Sequence, residues 1–109
     1  MTTNDPVSSL VQAWATFDES LRSGGGFDEP AYDGLTAALR GCATAWAQRD
    51  AIPRLGANVL VDIFPATEAN AALYRGEAAD RMMRAAYDLH ALAGRCVELP
   101  PGQGGASRP

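Results

Sequence analysis

The sequence predicts an all-α fold, an up-down-up-down antiparallel four-helix bundle with a proline-kinked third helix. Three observations lead there. Apolar residues recur in steps of three and four through most of the chain, which is the spacing of one face of an α-helix. An aspartate precedes a proline at Asp5-Pro6, Asp28-Glu29-Pro30 and Asp50-Ala51-Ile52-Pro53. Such an aspartate accepts hydrogen bonds from the free N–H groups of a first helical turn, and the proline gives up a donor that had no partner there. Glycines then mark the breaks, with Ser23-Gly24-Gly25-Gly26 after the first segment and Gly76 as the stop of the third.

These signals predict helices at about 6–22, 29–49, 52–75 and 77–98. In the first, Val7, Leu10, Trp14, Phe17 and Leu21 form the inward stripe. In the second, Tyr32, Leu35, Leu39, Cys42 and Trp46 do the same. The third is expected to turn Leu55, Val59, Ile63, Ala66 and Leu73 inward, with Pro65 kinking or breaking it by removing the bond to the Val61 carbonyl. The fourth places Met82, Ala86, Leu89, Ala93 and Cys96 on one face. Its opposite face is charged, and Glu77–Arg81 and Asp80–Arg84 stand at the i,i+4 spacing of helical ion pairs. Short connections predict that successive helices run antiparallel.

With 109 residues the chain has room for one domain. The expected organisation is a short lead over 1–5, the helical bundle over 6–99 and a disordered Pro/Gly-rich tail over 100–109. A net charge of −4 argues against a surface built for nucleic acid or anionic lipid. The first residues lack the basic and apolar regions of a secretory signal, and no apolar run is long enough to span a membrane. A cytoplasmic location is therefore expected. All nine basic residues are arginine, which we read as the coding bias of a GC-rich bacterial genome, as in actinobacteria, and not as a functional signal. Cys42 and Cys96 match no metal-ligand or CxxC spacing, and small core residues are their expected role.

Catalytic motifs are missing from the sequence. There are no Glu-x-x-His pairs of a di-iron bundle, no phosphate loop after a strand and no nucleophile elbow. We therefore expect no catalytic residues, no metal and no cofactor. Two surfaces stand out instead. Leu60, Val61 and Phe64 give the third helix apolar residues on a side that a straight helix would expose, the pattern of a helix covered by a second chain. The alternative is that the Pro65 kink turns them back into the core. Gly34 and Gly41, with Ala37 and Ala45, leave a strip nearly free of side chains on the second helix, suited to close approach of another backbone.

The expected function is accordingly a protein–protein interaction or regulatory accessory module, acting as a homodimer or with a partner protein. A second reading is a small-molecule-binding bundle with its pocket near Pro65, lined by Trp14, Trp46, Asn70, Tyr74, Tyr87 and His90. In it Asn70, Tyr74, Tyr87, His90 and Asp62 form a polar cluster, because a buried amide needs partners. The bland reading of the same residues is a hydrogen-bond network that fixes helix register, with His90 an ordinary core residue. A third function, an antitoxin or immunity protein masking a basic partner, fits the acidic charge.

Overall fold

The structure, a computed structural model, describes residues 5 to 99. The expected lead over residues 1–4 and the tail over 100–109 lie outside the described residues. Among the described residues there are four helices: α1 (Pro6–Arg22), α2 (Glu29–Trp46), α3 (Arg54–Ala71) and α4 (Gly76–Cys96).

The first two starts follow the capping logic. The Asp5 carboxylate accepts from the Ser8 backbone N–H at 3.1 Å, the Ser8 hydroxyl at 2.9 Å and the Val7 N–H at 2.8 Å, and these bonds, Ser8's foremost, hold its carboxyl below the usual range. Asp28 accepts from the Ala31 N–H at 3.0 Å. The third start differs. Pro53, not Asp50, is the capping residue of α3, and no side chain caps it. Gly76 also changes role. Expected to stop the third helix, it opens the fourth, with a left-handed φ of +63° that redirects the chain after the turn at Ala72–Arg75.

Helix directions alternate along the chain. Cys42 of α2 reaches the Pro6 carbonyl of α1, so that pair is antiparallel, and α3 and α4, neighbours joined by the short 72–75 connection, are antiparallel too. Asn70 meets Asp18 and Arg81 meets Glu29, which makes α1–α3 and α2–α4 parallel pairs. Each helix has two neighbours: α1 and α4 both pack on α2 and α3, while α2 and α3 face each other across the diagonal. The 47–53 connection therefore crosses one end of the bundle, where Ile52 packs on the core.

The inward stripes of α1, α2 and α4 are those expected, with Leu10, Phe17, Leu21, Leu35, Leu39, Met82 and Leu89 fully buried. On α3 the stripe is rotated. Gly56, Val59, Ile63, Thr67 and Asn70 are buried, whereas Leu55 and Leu73 are 56% and 67% exposed. Both lie at helix ends, and Gly56 takes the inward place because the Trp46 ring fills the space over it. Pro65 does not break α3, which continues through it as one helix. Pro65 and Val61 are both exposed, so the carbonyl that the proline leaves without a donor lies on the solvent side, where water satisfies it.

The expected ion pairs on α4 are not formed. Arg81 instead reaches α2, with Nη2 3.1 Å from Glu29 Oε1 and Nε 3.2 Å from Oε2. Its guanidinium also lies 4.2 Å over the Phe27 ring and 5.0 Å over that of Tyr32. A forked carboxylate contact and two aromatic faces outweigh an exposed i,i+4 pair of a few tenths of a kcal/mol, about 0.2–0.5.

Candidate functional site

The outer faces of α3 and α4 form a groove of about 420 Å³ whose wall is almost wholly apolar. From α3 come Ala57, Leu60, Val61, Phe64 and Pro65, and from α4 come His90, Ala93, Gly94 and Val97. The helical repeat puts them there. Residues 57, 61 and 64 follow at steps of four and three, as do 90, 94 and 97, so each set lies on one side of its helix. Because α3 and α4 are antiparallel neighbours, the two sides face the same way.

The groove is bulky at one end and shallow at the other. At the bulky end Phe64 packs at 5.2 Å from Tyr87 and 5.4 Å from His90, both at tilted angles, and Pro65 stands beside it. At the shallow end the wall is Ala57, Gly94 and Val97, and a Cβ added at Gly94 would meet nothing within 4 Å. Val61 is 73% exposed, Tyr87 61% and Val97 55%. Large side chains held this far out at adjacent positions make a contiguous patch, in contrast to the scattered exposed leucines at 55, 73 and 99.

Of the residues expected at an interface, Leu60, Val61 and Phe64 are brought together here. Val61 is fully outward, while Leu60 and Phe64 are half-buried. Gly34 and Gly41 are elsewhere, in a shallow depression between α1 and α2 lined also by Pro6, Ser9 and Ala13. A Cβ at either glycine would touch nothing, so no backbone of the fold approaches them.

The six residues of the small-molecule reading separate into three places. Trp14 and Trp46 are core residues. Asn70 faces α1, not α4, and its Nδ2 donates to Asp18 Oδ1 at 2.8 Å. Tyr74 ties down the first connection, donating to the Leu21 carbonyl at 2.7 Å and accepting from the Gly26 N–H at 3.2 Å. Tyr87 and His90 belong to the outer groove, and Asp62 is exposed. The expected polar cluster inside the bundle is thus not assembled. The reason is topological: α3 has α1 on one flank, and Asn70 finds its partner there.

Burial leaves the two thiols inert. Cys42 is pushed up by desolvation, and Cys96, whose Sγ lies 3.3 Å from the Leu39 carbonyl, is pushed up to about 11 for the same reason. Among the described residues the buried hydroxyl of Thr67 has no hydrogen-bond partner. Among the described residues no three His, Cys, Asp or Glu side chains converge as a metal ion would need, and no helix is long and apolar enough to cross a membrane.

Of the α4 wall, sequence reasoning named Tyr87 and His90, but as lining an internal pocket, and it missed Gly94 and Val97. Tyr87, His90, Gly94 and Val97 lie on the helix between its buried stripe and its charged face, and a two-sided division of the helix hides them. The signal available was the i,i+3,i+4,i+7 spacing of 87, 90, 91, 94 and 97, a second uncharged stripe. Comparison with known protein families, with curated proteins and with solved structures finds no match.

Proposed function

We propose that this chain is a protein–protein interaction module, of regulatory or accessory type, that docks a protein through the groove between α3 and α4. The observation that carries this reading is the contiguous exposure of Val61, Tyr87 and Val97 around a groove whose one polar side chain is that of His90. Covering such a patch releases apolar surface from water at roughly 25 cal/mol per Å². Aromatic residues such as Phe64 and Tyr87 are of the kind enriched at interfaces.

A photo-reactive benzoylphenylalanine placed at Val61, and as a control at the outward Ala15 of α1, tests this in living cells. Position 61 is expected to give a discrete protein adduct and position 15 none. Absence of an adduct at 61, or equal labelling at both positions, refutes the reading.

A further inference from the structure

Resting on the interaction reading above, we infer that the occupant of the α3–α4 groove is a second copy of this chain, packed face to face with α3 antiparallel on α3 and the two-fold axis at Val61. The first argument is charge. Arg54 and Glu68 stand one heptad before and one heptad after Val61, so all three fall nearly on one line along the outer face of α3. Both charged residues are exposed, and among the described residues neither takes part in an ion pair. A two-fold axis at Val61 sets Arg54 of each copy against Glu68 of the other. A parallel pairing sets like charge on like charge. Asp62, turned about 100° from Val61, stays outside this line. Asp80 and Arg84 are opposite charges one turn apart at the edge of α4 and offset each other.

The second argument is shape. The same rotation lays the bulky end of one groove over the shallow end of the other. On α3 it places Pro65 over Ala57. On α4, whose register against α3 is set by Phe64 packing on Tyr87 and His90, it places Tyr87 over Val97 and His90 over Gly94. Pro65, Tyr87 and His90 then each meet a smaller residue, and Val61 meets its own copy at the axis. The alternative two-fold, running along the groove, stacks Pro65 on Tyr87 and leaves the shallow ends facing each other across a void.

The area fixes the strength. From Arg54 to Glu68 the strip is about 21 Å long, and two helices are about 20 Å wide. A face of this size is about half of the roughly 800 Å² per partner of a standard interface. Interfaces this small belong to the weak, transient class, so a Kd of about 10–100 μM is the range to search, and self-association must be followed over a range of concentration.

Sedimentation equilibrium of the full chain between about 1 and 300 μM, a span chosen to bracket that Kd, tests the inference. Val61→Glu, at a 73% exposed position, keeps its circular dichroism and weakens the dimer about a hundredfold, because two carboxylates meet at the axis. Arg54→Glu and Glu68→Arg each weaken it about tenfold, and the double reversal returns it to near the original value. A wild-type chain that stays monomeric overturns the inference. So does a dimer indifferent to Val61→Glu, or one that the double reversal fails to restore. A monomer whose position 61 still cross-links to a different protein overturns the second copy while leaving the interaction reading standing.

Discussion

Four of the described glycines lie inside helices without special backbone angles, and the same substitution, to alanine, is expected to act in opposite directions among them. Gly56 is the decisive one. A Cβ added there falls 2.7 Å from Cη2 and 3.2 Å from Cζ2 of Trp46. Carbon atoms in contact rest at about 3.5–4.0 Å, so the ring must withdraw by about 1 Å. It has little room to do so, since Trp46 is 5% exposed and belongs to the core. Alanine in place of helical glycine contributes about 1 kcal/mol of stability, while overfilling a packed site costs about 1–3 kcal/mol. Overfilling wins, and Gly56→Ala is expected to destabilise by about 1 kcal/mol. At Gly34 and Gly41 the added Cβ meets nothing within 4 Å. Only the favourable helical contribution remains there, and each substitution stabilises by about 1 kcal/mol.

Urea denaturation followed by far-UV circular dichroism, at concentrations low enough to keep self-association out of the equilibrium, resolves a contrast of about 2 kcal/mol, worth about 8–16 °C in Tm for a domain of this size. A double-mutant cycle with Trp46→Leu locates the cause, because the penalty of Gly56→Ala should vanish once the indole is gone. If Gly56→Ala instead stabilises as much as Gly34→Ala, Trp46 does not wedge against α3, and the account of why the α3 stripe is rotated fails with it.

Tyr74→Phe removes one hydroxyl that serves both the Leu21 carbonyl and the Gly26 N–H. It should cost about 1–2 kcal/mol and speed hydrogen exchange at Gly26, and an unchanged exchange rate there would show that the hydroxyl does not hold the connection. Cys42 and Cys96 are both raised by burial, Cys96 to about 11, so native protein at pH 8 holds almost no thiolate at either. Labelling by a thiol reagent should follow the rate of global opening and accelerate with urea, and rapid stoichiometric labelling of the folded chain contradicts this.

The sequence made the fold legible wherever a single face decides. Leu10, Trp14, Phe17 and Leu21 are buried as their spacing requires, and Asp5 and Asp28 cap the helices that they precede. Periodicity says which side of a helix turns inward but not which helix stands beside it. In a bundle with helices about 10 Å apart the diagonal is about 14 Å, and the 47–53 connection spans about 20 Å when extended. It can therefore reach either a neighbour or the diagonal place, and no local residue selects between them. From that one choice follow the partner of Asn70, the rotation of the α3 stripe and the pairing of Arg81 with Glu29. The groove was half legible. Leu60, Val61 and Phe64 showed an outward apolar side on α3, and Tyr87 and His90 were placed near Pro65 but inside the bundle, whereas Gly94 and Val97 lie outside the single inward stripe by which α4 was read.

Pro65 sharpens what an occupant of that groove must be. It leaves the Val61 carbonyl without its helical donor, in the middle of the exposed face. Open to water, the carbonyl is satisfied. Covered by a purely apolar surface, it would cost about 1–3 kcal/mol, which is a large share of what a face this small contributes. A suitable partner must therefore bring a donor to the centre of an otherwise apolar contact. The second copy carries one in Asn58, exposed on the same face of α3 one turn before Val61. In the antiparallel register Asn58 lies level with Phe64 of the other copy, on the flank that Pro65 occupies, next to the carbonyl in question. A parallel or shifted pairing moves that carboxamide away and leaves the carbonyl buried against carbon. The proline that weakens α3 as an isolated helix thus makes one pairing of the two faces less costly than its alternatives.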